Sequence, residues 1–355
     1  MLLIGVHVPL ATPFYPDGRL YVRKLEHNVR RYSLTPVSGL IALGSNSEIA
    51  SLSSQERFQV LETVGKEAAK DKVLTAGIGL PSVNESIALA KEAAATRFDL
   101  ALLSAPLEYS SLLWQENTPQ SAAWTYFEAI ADASPLPVVL HSSADRPALP
   151  TKLIQRLAEH PNVVGLLDES GQVERIAQIR ELTAQVKRTV TTTITFTAAT
   201  GRMLIAEEPT TVVGGSFVDA ATLSGGAAVA TAPPVPALKT RSKDVGFQLV
   251  WGVTKDAGKA LGSDTQAVAM PLAASVPQAA YEVWAAWKDG DPRLLENKQQ
   301  RLYEAEKGIA LWDIPAVKYA SELSGYFGGR PRLPLLPVTA ERAEEITRLL
   351  NGMHA

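Results

Sequence analysis

Short apolar runs alternate with amphipathic stretches along most of this chain. The run Val163–Leu167 has no polar interruption, and it lies between Pro161-Asn162 and the polar stretch Asp168–Gly171. A short apolar run flanked by helical patterns is typical of a strand that is buried on both faces of a parallel sheet. In α/β barrels the chemistry lies at the carboxyl ends of such strands, so the stretch after Leu167 is the first candidate site.

The same pattern predicts a (β/α)8 TIM barrel. Strands and helices alternate with a repeat of roughly 25–35 residues, as expected for right-handed βαβ units. An eighth strand is predicted at Ala267–Leu272, with Thr210–Phe217 as the alternative. The seven strands predicted before it are Leu3–Leu10, Gly39–Leu43, Val73–Gly79, Asp99–Leu103, Leu136–Leu140, Val163–Leu167 and Val190–Phe196.

The late part of the chain departs from the regular repeat. We assign residues 1–275 to the barrel, with an insertion at about 205–262 that is rich in Gly, Ala and Thr, and residues 276–355 to a C-terminal helical extension. The insertion is interpreted as a solvated loop, with a lid over the barrel mouth or an oligomer contact as alternatives. Its two Gly-Gly pairs lack a GxGxxG or Walker pattern and are interpreted as flexible loop.

Composition and charge exclude several classes of function. The 355 residues include no cysteine, which removes disulfides, thiolate catalysis and cysteine metal sites. The five histidines lack metal-ligand spacing, so neither a metal nor another cofactor is expected. A net charge of -3 does not indicate the strongly basic surface that is typical of nucleic-acid-binding proteins. No apolar run is long enough to span a membrane, and the apolar start is interpreted as a strand, so a cytoplasmic location is expected.

Six local motifs carry a resemblance to a known family. The motifs are Gly5–Phe14, the loop Gly44–Glu48 with Leu52–Arg57, Gly77–Gly79 before Ser82, Pro137–His141, His160–Gly171 and Arg332–Pro337. In these motifs the chain resembles the dihydrodipicolinate synthase / N-acetylneuraminate lyase family of class I aldolases, and most of all its fungal 4-hydroxy-2-oxoglutarate-aldolase-like members. The resemblance implies a small-molecule substrate and a homodimer or homotetramer.

The resemblance also implies roles for individual residues. Leu167 matches the position of the family's Schiff-base lysine, and a leucine has no amine with which to form an imine. His141 matches the family's proton-shuttling tyrosine. Ser45 and Asn46 match the loop that binds the substrate carboxylate, and Arg146 matches an arginine that grips a second carboxylate in some members.

No other lysine is an obvious substitute for the missing amine. Lys72 precedes the third strand, at the wrong end of the barrel, and Lys318 lies in a C-terminal helix. The lysines placed in the insertion are Lys239, Lys243, Lys255 and Lys259.

Structural roles remain open beside the functional ones. His141 can be a buried structural histidine, and Arg146 can be an ordinary loop arginine. Ser45 and Asn46 can be turn residues, and Glu48 is expected to brace its loop. Two further groups stay open: the carboxylates Asp168 and Glu169, which can lie at a helix N-terminus, and the loop residues Glu108 and Tyr109, whose register is not fixed.

Two classes of function are therefore carried forward. The first is a divergent lyase or aldolase-like enzyme that acts without a Schiff base on a carboxylated or carbonyl small molecule. His141 would transfer the proton in an aldol, dehydration or cyclisation step. The alternative is a catalytically silent family member that binds a metabolite or a protein partner.

Overall fold

The computed structural model describes residues 1–107, 121–205, 238–263, 265–309 and 314–353. Eight parallel strands form a closed barrel in the order β1-β10-β9-β6-β5-β4-β3-β2, which confirms the predicted (β/α)8 barrel. The described strands are β1 Gly5–Pro9, β2 Gly39–Ala42, β3 Val73–Gly77, β4 Leu100–Ser104, β5 Val138–Ser142, β6 Val163–Asp168, β7 Arg188–Thr193, β8 Thr240–Val245, β9 Gln248–Trp251 and β10 Ala267–Val268.

Helices follow the barrel strands and continue into a helical C-terminal part. Ser53 and Glu56 form the capping box expected from their spacing, and they fix the start of the second helix. The helices are α1 Val22–Ser33, α2 Ser54–Glu67, α3 Val83–Ala95, α4 Ala122–Ala133, α5 Thr151–Glu159, α6 Val173–Leu182, α7 Gly201–Leu204, α8 Ala257–Gly262, α9 Pro277–Lys288, α10 Pro292–Gly308, α11 Ile314–Leu323 and α12 Ala340–Leu349. None of them is both long enough and apolar enough to cross a bilayer within these described ranges.

The barrel has two apolar layers. Inward-facing residues of the strands form one cluster, and the outward-facing residues pack against the helices in a larger one. Ile41, Leu102, Val139, Leu167 and Val250 belong to the inner cluster. The interior is therefore filled with side chains, as in other barrels of this kind, and only the strand ends remain for polar chemistry.

The seventh barrel strand differs from the prediction. Val190–Phe196 was expected there, but β7 pairs antiparallel with β8 in a separate two-stranded sheet. The barrel strand is β9, which pairs with β6 on one side and with β10 on the other. Its four residues are all buried, whereas β7 alternates buried and exposed threonines, which is the pattern of a sheet with one solvated face.

The range predicted as an insertion, 205–262, therefore contains barrel strand β9 and helix α8. The eighth strand, β10, lies within the predicted Ala267–Leu272, and a 3₁₀ turn, Pro271–Ala274, follows it. The alternative strand Thr210–Phe217 and the two Gly-Gly pairs fall outside the described residues.

The β7–β8 sheet and α7 lie at the amino-terminal end of the barrel. The Arg202 guanidinium donates to the carbonyls of Ala68 and Lys72, and Gly201 N–H donates to Asp99 Oδ1 over 3.0 Å. Val190 packs in the inner cluster with Leu3 and its neighbours. These contacts lie at the end of the barrel opposite the mouth. The β7–β8 sheet and α7 therefore do not form the lid over the mouth that was considered as an alternative.

The C-terminal segment is tied to the mouth side of the barrel. Arg332 pairs with the two carboxylate oxygens of Glu56 and donates to the carbonyls of Gly18 and Ser51, each over 2.7 Å. The Arg332 guanidinium lowers the pKa of Glu56 to about 2. These contacts hold the extended segment after α11 against the loops that lead into α2.

Candidate active site

A row of facing side chains crosses the mouth of the barrel. The strand register places Ser104 of β4 beside His141 of β5, His141 beside Leu167 of β6, and Leu167 beside Val250 of β9. Residues in one such row share a face of a parallel sheet. Since Leu167 and Val250 belong to the inner cluster, the row faces the barrel interior.

His141 is buried between a hydroxyl and a carboxylate. Its Nδ1 atom lies 2.7 Å from Ser104 Oγ, and its Nε2 atom lies 2.9 Å from Glu169 Oε2. The second contact is at ion-pair distance but lacks hydrogen-bond geometry. The His141 side chain is only 4% exposed, so these two groups dominate its surroundings. Both nitrogens of the imidazole thus face groups with which a proton can be exchanged.

Glu169 is a candidate from the sequence whose contact with His141 was not predicted. A carboxylate after a strand was expected to lie at a helix N-terminus, whereas Glu169 turns toward His141. Its Oε1 atom accepts a 2.7 Å hydrogen bond from Ser45, and its Oε2 atom accepts from Ala144 N–H at 3.3 Å. Ser45, Glu169, His141 and Ser104 therefore form one continuous chain of polar contacts.

Asp168 has a structural role. Its side chain is fully buried, pairs with Arg175 at 2.8 Å and accepts from Ser170 N–H at 2.9 Å. These contacts fix the turn between β6 and α6 and direct the next residue, Glu169, toward the mouth. Asp168 therefore has a structural role, but it braces the turn before α6 and does not lie at the N-terminus of that helix.

Leu167 brings a hydrocarbon side chain next to His141. It is 3% exposed and packs with apolar residues of the inner cluster. The absence of a side chain at Gly252 leaves space for both Glu169 and Leu167. A Cβ at Gly252 would lie 2.3 Å from Glu169 Cγ and 3.1 Å from Leu167 Cδ1, both closer than an ordinary contact. The position at the end of β6 is therefore filled by close apolar packing.

A cavity of about 240 Å³ opens beside His141. No lysine is among the described residues that line it. Gly44 after β2, and Gly77 and Gly79 at and after the end of β3, line it without contributing side chains. The lining residues are Leu43, Gly44, Ser45, Glu48, Ile49, Ala50, Gly77, Gly79, Leu102, Ser104, His141, Ser143, Asp145, Arg146 and Ile314.

Arg146 reaches this cavity but already has an internal partner. Its Nε and Nη2 atoms donate to the two oxygens of Asp145 over 2.9 and 3.0 Å, and Nη1 donates to Ala105 O. Ser143 donates to the same Asp145 carboxylate. Although burial raises the pKa of Asp145, Arg146 and Ser143 hold it below its usual value. A substrate carboxylate at Arg146 would therefore compete with Asp145.

Asn46 does not line the cavity, although its neighbour Ser45 does. The Asn46 side-chain amide is buried and donates to the carbonyls of Pro9 and Pro271 over 2.9 and 3.0 Å. These bonds tie the loop after β2 to the ends of β1 and β10. The contacts are those of a residue that holds the loop in place.

Glu48 braces the same loop, as expected, through a buried lysine. Lys318 Nζ lies 2.5 Å from Glu48 Oε1, and Arg332 N–H donates to Glu48 Oε2 over 2.8 Å. Burial lowers the pKa of Lys318 to about 8, although the Glu48 carboxylate opposes the shift. The Lys318 amine also donates to Arg330 O, and Lys318 is not among the described residues that line the cavity.

A second cavity, of about 450 Å³, is lined by Glu169, whose carboxylate contacts Ser45 and His141 of the first cavity. Lys255, in the loop after β9, lines it together with Tyr303, Glu306 and Lys307 of α10. Burial raises the pKa of Glu306 to about 7, and the polar groups of Thr254 oppose the shift. Lys255 and Lys307 are therefore the described lysines that line this second cavity, and both are exposed.

The remaining candidates lie elsewhere. The Lys72 amine donates to the carbonyls of Thr35 and Val37 at the amino-terminal end of the barrel, as predicted. Glu108 and Tyr109 fall outside the described residues. Across the described ranges, no three His, Asp or Glu side chains come together as a set that could hold a metal ion.

Comparisons with known proteins identify the family and agree with the fold. A family model described as the dihydrodipicolinate synthetase family matches residues 2–189. The 4-hydroxy-tetrahydrodipicolinate synthase of Methylococcus capsulatus is 32% identical over 184 residues, which are 51% of this chain and 60% of that protein. The synthase of a Cyanothece species is 33% identical over 177 residues, 49% of this chain and 58% of that protein. The chain therefore spans about 60% of the length of these curated relatives.

Solved structures share the whole architecture. Dihydrodipicolinate synthase DapA-2 from Bacillus anthracis superposes with a TM-score of 0.75 at 20% identity and covers 99% of both chains. The 4-hydroxy-tetrahydrodipicolinate synthase from Methylacidiphilum fumariolicum gives a TM-score of 0.73 at 20% identity, covering 99% of this chain and 96% of that one. At this level of identity the likeness establishes the fold.

Proposed function

Since the chain belongs to the dihydrodipicolinate synthetase family, we propose that it is a lyase-type enzyme that acts on a small carbonyl or carboxylated substrate without a Schiff base. The observation that carries this proposal is one pair of neighbours in the strand register. His141 lies buried between Ser104 and Glu169, and beside it stands Leu167, at the position that the resemblance gives to the imine-forming lysine.

The chain of polar contacts supports proton transfer by His141. In a retro-aldol cleavage, the imidazole takes the proton of the substrate hydroxyl and the carbon–carbon bond breaks. The electron pair moves onto the carbonyl as an enolate, which then takes a proton back. Glu169 stabilises the imidazolium that forms, because its carboxylate lies 2.9 Å from Nε2.

Without an imine, the enolate charge must be stabilised by hydrogen-bond donors. The hydroxyl of Ser104 and the backbone N–H groups of Gly44 and Ser45 belong to residues that line the cavity. Donors fixed in a site that excludes water stabilise a developing oxyanion strongly. We propose that Ser45 and Arg146 bind the substrate carboxylate, with Arg146 exchanging Asp145 for the substrate, and that Asn46 supports Ser45 from behind.

The silent family member remains the second candidate, because one observation favours it. The Arg146 guanidinium is already satisfied by Asp145 and by Ala105 O, which is the arrangement of a structural ion pair. A barrel of this kind would bind a metabolite or a partner protein at the mouth and turn nothing over.

Proton exchange separates the two candidates. The protein is incubated in D2O with pyruvate and with a panel of 4-hydroxy-2-oxo acids, and NMR follows deuterium incorporation and cleavage. The proposal predicts exchange or cleavage that falls by roughly 10²–10⁴ in His141→Ala, as for loss of a general base. His160→Ala is the matched control, because His160 contacts Asp132 on the outside of the barrel. Ligand binding without any turnover would support the silent candidate.

Assembly and location complete the proposal. We propose a homodimer or homotetramer, as the resemblance implies, and a cytoplasmic location, as expected from the sequence. Light scattering on the purified full chain tests the first point, since a monomer across the micromolar range would contradict it. Cell fractionation tests the second.

A further inference from the structure

Three residues at the mouth are arranged as a nucleophile, a base and an orienting carboxylate. Ser104 Oγ lies 2.7 Å from His141 Nδ1, and His141 Nε2 lies 2.9 Å from Glu169 Oε2. The first distance falls in the range of about 2.6–3.2 Å that marks an activated nucleophile and its base. The second is an ion-pair contact, in which Nε2 and the carboxylate are close but not aligned as a hydrogen bond. Such a constellation is recognised by its geometry, since it recurs on unrelated folds and in different chain orders.

We propose that Ser104 is a nucleophile that accepts an acyl group from a carbonyl substrate, with His141 as its base and Glu169 as the group that orients the imidazole. The inference deepens the proposed function and rests on it, because both use His141 as the base. It also supplies a covalent capture of the substrate that Leu167 cannot provide.

Among the serines that line the cavity, only Ser104 contacts an imidazole. The Ser45 hydroxyl donates to Glu169, and the Ser143 hydroxyl donates to Asp145. Histidine is the commonest general base for a hydroxyl nucleophile, so of these three serines Ser104 is the one placed for activation. Ser104 is also the least buried residue of β4, so its oxygen is open to a substrate in the cavity.

The other two members of the trio are held in place. Glu169 accepts from Ser45 Oγ and from Ala144 N–H, and its own N–H donates to Ser142 O over 2.9 Å. For Ser104 to donate its proton, Nδ1 must be the unprotonated nitrogen, and the Nε2–H group then faces Glu169. That tautomer is the one in which Glu169 stabilises the imidazolium formed during attack.

The reaction balances with water as the only co-reactant. Ser104 Oγ attacks the carbonyl carbon and its proton passes to Nδ1. The tetrahedral intermediate collapses by breaking the C–O bond of an ester or the C–C bond of a 1,3-dicarbonyl compound. The leaving alkoxide or enolate takes the proton from Nδ1. Water, deprotonated by His141, then attacks the acyl-serine, releases a carboxylic acid and returns the proton to Ser104.

The backbone of the loop after β2 offers donors for the oxyanion. Gly44 and Ser45 line the same cavity as Ser104, and their N–H groups donate no hydrogen bond to any described residue. Gly79 allows β3 to pass close to Ser104, because a Cβ there would lie 2.8 Å from Ser104 N. The nucleophile and the candidate donors thus share one small space.

Labelling with an alkyl fluorophosphonate tests the inference. Intact mass and peptide mapping of the full chain should show one adduct, at Ser104, and the rate should fall at least tenfold in His141→Ala. Ser104→Ala should give no adduct, whereas Ser263→Ala, which removes an exposed hydroxyl bound to Lys259 O, should label as the wild type does. The absence of an adduct on the folded protein, or an adduct that persists in Ser104→Ala, overturns the inference.

A second variant uses the absence of cysteine in the chain. Ser104→Cys introduces a single thiol, and a base at His141 should make it react with iodoacetamide at least tenfold faster than a thiol peptide at pH 7. Equal rates with and without His141→Ala would overturn the inference. Labelling at Ser104 without His141-dependent proton exchange would contradict the proposed lyase function alone. Proton exchange without labelling would contradict the Ser104 inference alone.

Discussion

His141 and Leu167 are direct neighbours in the register of β5 and β6, so an imidazole and a hydrocarbon stand side by side at the mouth of the barrel. The imidazole is held by Ser104 and Glu169, while the leucine packs into the barrel interior. The polar groups that we propose for proton transfer come from β4, β5 and the turn after β6. At position 167 of β6 the side chain offers no amine for covalent capture of a ketone.

Leu167→Lys should introduce imine chemistry. The new amine would lie beside His141 among apolar residues, where burial lowers the pKa of an amine and makes it nucleophilic. We expect pyruvate and borohydride to give one covalent adduct, mapped by mass spectrometry to position 167. Leu167→Met is the matched control, because it has a similar length and no amine. A folded Leu167→Lys protein that remains unmodified would show that this position does not reach the substrate.

Glu169→Gln should slow any turnover by roughly tenfold to a hundredfold, because it removes the charge that stabilises the imidazolium. Steady-state kinetics of Glu169→Gln, His141→Ala and the double variant test the coupling. Residues that act as a unit lose their effects non-additively, so the double variant should be no slower than His141→Ala. Additive losses would mean that Glu169 acts independently of His141.

The buried carboxyl of Glu306 should make stability depend on pH. Its pKa rises from 4.5 to about 7 in the folded chain because of burial, so the folded state binds this proton more tightly than the unfolded state. The resulting stability is fully present below about pH 4.5 and is lost as the pH rises to about 7. At pH 8, Glu306→Gln should therefore be more stable than the wild type, by up to about 3 kcal/mol.

Urea denaturation at pH 5 and pH 8 checks this prediction. Glu304→Gln is the control, because Glu304 lies on the same helix and is exposed. An equal effect of Glu306→Gln at both pH values would contradict the account of the buried carboxyl.

The Glu48–Lys318 pair should be a strong contributor to the attachment of α11. Both side chains are 1% exposed, so Glu48→Gln leaves the Lys318 charge without its ionic partner and should cost about 3 kcal/mol of unfolding free energy. Glu48→Gln combined with Lys318→Met should recover much of that loss, since no buried charge remains. Thermal or urea unfolding measures both variants, and a double variant that is less stable than Glu48→Gln would contradict the argument.

The sequence was sufficient for the barrel because uninterrupted apolar runs mark buried parallel strands. The prediction was wrong at the seventh strand, where the pattern alternates and does not mark a strand buried on both faces. Val190–Phe196 carries β-branched residues that favour a strand, yet its alternating threonines suit the two-stranded sheet at the barrel's amino-terminal end. The run Gln248–Trp251 is short and lies among glycines and lysines, so its burial was not visible in the sequence.

The site was predictable in part. The row containing His141 and Leu167 follows from the strand ends, and Ser45, His141 and Arg146 do line one cavity. The role of Glu169 was not visible, because its direction depends on Asp168 being tied to Arg175. The motif around Asn46 led to the prediction that it binds substrate. Its amide instead donates to the carbonyls of Pro9 and Pro271, which are distant in the sequence and could not be identified from the motif.

Borohydride trapping on the wild-type chain tests the central claim most directly. The protein is incubated with pyruvate and with 4-hydroxy-2-oxo acids at saturating concentration and reduced, and every lysine is mapped by mass spectrometry, with Leu167→Lys as the positive control. We predict no adduct on the wild type under conditions in which Leu167→Lys is modified. A stoichiometric adduct on any native lysine, above all Lys255 in the cavity beside Glu169, would contradict chemistry without a Schiff base.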